Sequence, residues 1–396
     1  MLENKIYIGD NLEVMLSKDF DKYTGKIRFI YIDPPYNTSN QTFAYNDKNN
    51  LWKRDILLRM GCAKRLLHES GVIFISIDNN ELANLLFAGY EIFGKDNMVG
   101  ILITKQSQRS NAKHINTIHE YIVCFAKNKK KLPKFFINRI DDPIESEHLL
   151  SIIKTIKKET KISHDHAEKK LKLLIDAYVK QTGNTWIKNY NNIDAEGNVY
   201  FAKDLSTPGK PNKLEIDEIG LTLEPLKTRG WSSREKFIKL HNEGRLCFKK
   251  GRPYEIEYLH ESVNNIPSIL DFYSRQGTND LKKLGLDGLF DTPKPVELIK
   301  FLIRCSQGQD SLILDFYAGS GTTAQAVYEV NSEDSRNHKY ILVQLDEPIN
   351  PKSDSYEFLI SRGVNDPTVD KAMILRIDTY LEKINKDKDY TVEKIK

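Results

Sequence analysis

Seven apolar runs of strand length, most of them continuous rather than alternating, constrain this chain more than any other feature. Residues 5–9, 28–32, 71–77, 99–104 and 121–125 form one cluster, and residues 311–316 and 339–345 form a second. Continuous apolar runs belong to strands buried on both faces, as in a parallel sheet covered by helices. Segments of helical length at 51–67 and 81–93 separate several of them. The expected fold is therefore α/β, a doubly wound and mostly parallel sheet interrupted by an insertion.

The interruption differs in character from its flanks. Residues 127–252 carry 27 Lys and Arg against 17 Asp and Glu, a net of +10, and the rest of the chain is at −6. It opens on Lys129, Lys130 and Lys131, continues through a charged helical stretch over 152–179, and then runs into Gly-, Asn- and Pro-rich turns at 194–197 and 207–212. Trp186 and Trp231 stand in it among Lys, Asn, Tyr and Arg. On charge alone a solvated lysine-rich surface is the simpler account; with the aromatics, a segment that meets a polyanion is the sharper one. After Pro367 the pattern is helical and ends in a lysine-rich tail.

Composition excludes several classes. With 40% hydrophobic and 29% charged residues over 396 positions, the chain is neither disordered nor fibrous. No apolar run approaches the roughly 18 residues of a spanning helix, and the start MLENKIYIGD lacks a signal-peptide pattern, so a cytoplasmic protein without membrane contact is expected. Cys62, Cys124, Cys247 and Cys305 form no CxxC pair, which argues against a disulfide framework or a metal site.

Two turns carry the chemistry. In the first, the run over 311–315 enters Phe316-Tyr317-Ala318-Gly319-Ser320-Gly321-Thr322-Thr323. Gly319 and Gly321 let backbone approach a ligand, and the amides near Thr322 and Thr323 face an anionic group from a helix start. The pattern is neither GxGxxG nor a P-loop, which disfavours NAD and ATP. Asp315 ends the strand and needs a polar partner. At the end of the next strand Gln344, Asp346 and Glu347 compete to bind ribose hydroxyls, with a solvated strand end as the alternative for each.

The second turn is Asp33-Pro34-Pro35-Tyr36, which follows the buried run Ile30-Tyr31-Ile32. Prolines fix φ and lack N–H donors, so the turn presents carbonyl oxygens and one carboxylate in a rigid arrangement. Such a surface suits an exocyclic amine, with one hydrogen donated to Asp33 and one to a proline carbonyl, while Tyr36 stacks on a planar base.

With Asp33-Pro34-Pro35-Tyr36 preceding Asp315-Phe316-Tyr317-Ala318-Gly319-Ser320-Gly321, the chain resembles the DNA amino-methyltransferases that use S-adenosyl-L-methionine, in the adenine-modifying group with permuted motif order. Gly9-Asp10-Asn11-Leu12, residues 70–75, His119-Glu120-Tyr121 and Phe290-Asp291-Thr292-Pro293-Lys294-Pro295 extend the likeness, which is greatest to modification subunits of type III restriction systems. Within the insertion, residues 192–200 and 230–237 look like that group as well.

The resemblance implies a Rossmann-like, circularly permuted methyltransferase sheet with an inserted target-recognition domain. Its parts would be a catalytic half at 1–127, the DNA-binding insertion at 128–265, a cofactor-binding half at 266–350 and a helical extension at 351–396. Asp33, Pro34, Pro35 and Tyr36 would be catalytic. Asp315, Phe316, Gly319 and Gly321 would surround the cofactor, Thr322, Thr323 and Lys294 would lie near its methionine portion, and Asp10 near its adenine. The family often has glutamate where this chain has Gln344, which moves the ribose contact to Asp346 or Glu347. The implied partner is double-stranded DNA, with a homodimer and a restriction subunit left open. The implied reaction is transfer of a methyl group to the N6 amine of a flipped adenine. N4-cytosine methylation, a silent DNA-binding subunit, and an RNA or protein-glutamine substrate are the alternatives. Carbon-5 cytosine methylation is excluded, because no Pro-Cys dipeptide is present.

Overall fold

The computed structural model describes residues 3–38, 51–106, 114–141, 145–306 and 310–395. These residues fall into two compact units, Met1–Phe135 with Ile266–Lys396, and Phe136–Asn265.

The first unit is built on a sheet of nine strands among the described residues. They are β1 (Asn4–Ile8), β2 (Ile27–Ile32), β3 (Leu67–Ile77), β4 (Met98–Lys105), β5 (His119–Ala126), β6 (Ile269–Tyr273), β7 (Leu312–Asp315), β8 (Lys339–Gln344) and β9 (Tyr390–Lys394). Their spatial order is β6-β4-β5-β3-β2-β7-β8-β1-β9, and every neighbouring pair is parallel except the two that involve β5. The continuous apolar runs are the buried central strands: Phe29, Ile30, Ile73, Ile75, Ile313, Leu314, Ile341 and Val343 are fully enclosed. Helices α2 (Trp52–Leu66) and α3 (Leu82–Phe93) bury Ile56, Met60, Leu85 and Ala88 in the same core. Helices α4 (Val296–Ser306), α5 (Thr322–Glu333) and α6 (Val369–Lys383) also belong to the unit, α5 packing against both of the others.

Both edge strands depart from the sequence expectation. β6 alternates exposed and buried residues, as an edge strand does, and continuous runs give no sign of it. The expected helical, lysine-rich tail ends instead in β9, which pairs in parallel with β1. The helical stretch over 152–179 is two helices, Ser146–Thr160 and His164–Thr182, divided where Ser163 caps the second by accepting from the His166 amide. Residues 128–135 lie in the first unit, not with the insertion.

The second unit has a four-stranded antiparallel sheet, Leu246–Lys249, Arg252–Tyr258, Val199–Asp204 and Asn192–Ile193 in that order. The helical pair packs through Leu149, Ile152, Leu171 and Ile175. Trp231 lies in a second small core with Phe237 and Leu240, and the Arg139 guanidinium stacks on Trp186 at 3.7 Å. The two tryptophans therefore serve packing and do not form an open stacking surface.

Candidate active site

Adjacent parallel strands bring the two turns together. Ile313 and Leu314 of β7 pair with Phe29 and Ile30 of β2, so Asp315 and Asp33 leave the sheet side by side at its carboxyl edge, where ligands bind in open α/β sheets. A cavity of about 430 Å³ opens there, lined among others by Asp10, Asp33, Lys294, Phe316, Gly319 and Thr323.

On the β2 side the chain passes Asp33-Pro34-Pro35-Tyr36 and turns at Asn37, whose φ of 57° is one that asparagine tolerates. The Asn37 amide donates to Glu81 at 2.6 Å, and the Trp52 indole donates to the Pro35 carbonyl at 2.6 Å. The carbonyl left for an incoming amine is then that of Pro34, to which nothing donates among the described residues.

Lys294 sits in the middle of this side. Its ammonium is 3.2 Å from Asp33 Oδ1, 2.9 Å from Glu120 Oε2 and 2.6 Å from the Tyr36 hydroxyl, which in turn donates to Glu120 at 3.2 Å. The contact with Asp33 is an ion pair without hydrogen-bond geometry, and among the described residues the buried Asp33 Oδ1 accepts no hydrogen bond. Burial raises the Asp33 pKa above the usual carboxylate range, and Lys294 offsets part of that rise. For Glu120 burial is also the largest single influence, but Lys294, Gln106 and Tyr36 together outweigh it and hold the carboxyl below its usual range. Burial works against the charge of Lys294 as well, and the two carboxylates hold it protonated well above the ordinary lysine value.

On the β7 side Asp315 accepts from the Thr323 hydroxyl at 2.5 Å and from the Tyr317 amide at 3.1 Å. Burial nevertheless pushes its carboxyl up to about 7. Gly319 and Gly321 have φ of 52° and 76°. A Cβ at Gly319 would meet only Tyr317 O at 3.8 Å, whereas one at Gly321 would lie 3.0 Å from Met373 of α6. Gly319 is therefore required by backbone conformation, and Gly321 also by the close approach of α6. The Gly319 amide donates to Gln344 Oε1 at 2.7 Å.

Set beside the sequence expectations, the Asp33 turn and the glycine turn come together, and three of the expected side chains have partners that the sequence does not reveal. Lys294, expected beside the methionine portion of a cofactor, has its ammonium on the Asp33 side; only its backbone carbonyl reaches the glycine turn, accepting from Thr322 Oγ1 at 3.2 Å. Asp346 does not line the cavity: its carboxylate pairs with Lys394 of β9 at 2.6 Å, whereas Gln344 and Glu347 do line it. Asp10 caps helix α1 (Asn11–Leu16) through the Leu12 amide at 2.9 Å and pairs with Arg59 at 2.9 Å.

Sequence reasoning missed four residues. Glu120 stands in the quoted His-Glu-Tyr run, where its place at the start of β5 beside β3 was the available signal. Trp52, Arg59 and Arg376 are helix residues with no motif to mark them.

With this geometry in hand, comparison with known proteins decides the family. Residues 27–349 match the DNA methylase family of N6/N4 methyltransferases. The chain belongs to it. It is 30% identical over 388 residues to the Mod subunit of the type III restriction-modification enzyme EcoP15I of Escherichia coli, covering 88% of this chain and 59% of that one. The EcoPI Mod subunit of Escherichia phage P1 is 32% identical over 403 residues, with 89% and 59% covered. The type II methyltransferase M.KpnI of Klebsiella pneumoniae is 28% identical over 394 residues, with 93% and 86% covered. This DNA methylase chain thus spans about 59% of the length of the two Mod subunits. Among its described residues no helix is long and apolar enough to cross a membrane.

Proposed function

We propose that this DNA methylase transfers a methyl group from S-adenosyl-L-methionine to the N6 amine of adenine in duplex DNA, as the modification component of a restriction-modification system. The observation that carries this reading is the pair of acceptors at the end of β2: the buried Asp33 Oδ1, which accepts no hydrogen bond among the described residues, and the Pro34 carbonyl, beside a glycine turn that leaves a cavity at the end of β7. The cavity fits the cofactor: Gly319 leaves open space, Asp315 and Glu347 supply carboxylates, and α5 begins without a side-chain cap. S-adenosyl-L-methionine supplies an electrophilic methyl group on a sulfonium.

The exocyclic amine of adenine is a poor nucleophile because its lone pair is delocalised into the ring. Asp33 and Pro34, by accepting its two hydrogens, favour the pyramidal form with a localised lone pair, which exists fully only in the transition state. The raised proton affinity of Asp33 suits it to take up the proton that the amine sheds. Lys294 and Glu120 hold the Tyr36 hydroxyl, so the ring is fixed as a stacking face for a base taken out of the helix. Flipping costs a few kcal/mol, which binding must offset. DNA recognition is assigned to the basic insertion, and a restriction subunit is the expected partner.

The test is single-molecule sequencing of DNA from cells with and without the gene. N6-methyladenine at one recurring sequence, absent without the gene, is the expected result. N4-methylcytosine in its place, or no difference, would overturn the adenine assignment.

A further inference from the structure

Helix α6 belongs to the C-terminal extension, which carries none of the residues used by the reaction proposed above. Arg376 in this helix is fully buried, with 0% exposure. Its guanidinium donates to Ser320 Oγ at 2.7 Å, to Thr322 Oγ1 at 2.7 Å, and twice to Gln325 Oε1, at 3.0 and 3.3 Å. Every one of these acceptors is neutral. Among the described residues Arg376 makes no ion pair, whereas Lys300, the other cation buried nearby, is surrounded by Glu297, Glu329 and Glu333 at 2.8–3.0 Å. Burial lowers the Arg376 pKa to about 10, although the Asp280 and Glu329 carboxylates, near it but not paired with it, oppose that shift. A buried charge of this kind is costly unless an anion compensates it.

Two of the three acceptors, Ser320 and Thr322, also belong to the wall of the cavity. They stand on either side of Gly321, against which α6 packs through Met373 and Ile377. Each hydroxyl accepts from Arg376 and therefore keeps its own hydrogen to donate. That of Thr322 has the Lys294 carbonyl within 3.2 Å. That of Ser320 has, among the described residues, only Thr322 Oγ1, at 3.1 Å, and can turn to a ligand. A hydroxyl polarised by a guanidinium is a stronger donor than an isolated one.

We propose that Arg376 is a positioning residue for the cofactor, supplying through the Ser320 hydroxyl the counter-charge for its carboxylate end at the start of α5. This rests on the reading that the cavity takes S-adenosyl-L-methionine. A simple latch between α6 and α5 would instead weaken every ligand of the cavity alike. The two accounts separate on a pair of ligands, S-adenosylhomocysteine, which carries the carboxylate, and 5′-methylthioadenosine, which lacks the amino-acid end.

Both affinities are measured by calorimetry, with displacement titration for the weaker ligand, on the full chain and on Arg376→Met, Arg376→Lys and Ser320→Ala. Wild type is expected to prefer S-adenosylhomocysteine. Arg376→Met and Ser320→Ala each lose about tenfold for that ligand and change little for methylthioadenosine, whereas Arg376→Lys retains most of the preference. Ser320→Ala leaves the buried guanidinium in place and decides the matter if Arg376→Met does not fold. Equal losses for both ligands, or a wild type without preference, would overturn the inference alone. A wild type that binds neither ligand would overturn the cofactor reading and this inference with it.

Discussion

Asp33 is asked to act on the amine and not on the cofactor, so Asp33→Ala should lower methyl transfer by about a hundredfold or more while S-adenosylhomocysteine affinity stays close to wild type. Parallel calorimetry and transfer assays on the folded variant check this; joint loss of both would assign Asp33 to cofactor binding. Glu120 shares Lys294 with Asp33 and the Tyr36 hydroxyl. In Glu120→Gln the lysine has Asp33 as its remaining charged partner among the described residues and competes harder with the incoming amine. Transfer should fall about tenfold with cofactor affinity unchanged, and an unaltered rate would remove Glu120 from the site. Asp315 makes a prediction about pH. Its pKa rises on folding from an ordinary 3.8 to about 7, so the folded chain binds the extra proton in that window and Asp315 contributes stability below about pH 4 that is lost as pH rises through 7. Asp315→Asn should remove this component, leaving a difference in melting temperature from wild type that changes between pH 5 and pH 8. A constant difference would mean that Asp315 ionises as an ordinary carboxylate.

At the scale of elements, what the sequence makes legible follows from burial. The central strands β2, β3, β7 and β8 are enclosed on both faces, so they are written as unbroken apolar runs and can be read directly. Edge strands β6 and β9 are half-solvated, and the periodicity of β9 is lost in a lysine-rich context. The same reasoning separates the site residues. Asp33 and Asp315 stand at strand ends beside Pro and Gly, whose backbone requirements leave a mark in the sequence. Trp52, Arg59 and Arg376 reach the site from helix faces, where spacing marks only burial. Asp346 pairs with Lys394 and does not line the cavity, because a strand end fixes where the backbone goes and not which partner a carboxylate takes. The role of Gly321 became visible only with α6 in place, and it yields a prediction. Gly321→Val adds a side chain where Met373 and Ile377 already lie, at a positive φ that costs about 1–2 kcal/mol by itself. It should lower the melting temperature and weaken S-adenosylhomocysteine together, whereas Gly319→Val, facing open space, should weaken the ligand with the smaller loss of stability. The reverse ranking in thermal melts and calorimetry would contradict the packing role of α6.

For the whole molecule, the proposal that the insertion meets DNA while chemistry stays with the sheet rests on the net charge of +10 over residues 127–252. If lysines of the insertion contact phosphates, affinity for duplex DNA should fall by orders of magnitude between about 50 and 200 mM salt. Exchanging residues 136–265 for those of a related methylase should change the methylated sequence without changing the methylated atom. A flat salt dependence would make the insertion a solvated surface, and an unaltered sequence after the exchange would place specificity in the other unit. The methylated atom that the exchange leaves unchanged rests on the claim that the Asp33 turn and the glycine turn form one methyl-transfer site for adenine. Incubation of unmethylated duplex DNA with the purified chain and S-adenosyl-L-methionine carrying a deuterated methyl group, followed by nucleoside mass spectrometry, tests that claim most directly. The account predicts deuterated N6-methyldeoxyadenosine with wild type and none with Asp33→Ala; label in N4-methyldeoxycytidine, or equal label with both proteins, would contradict it.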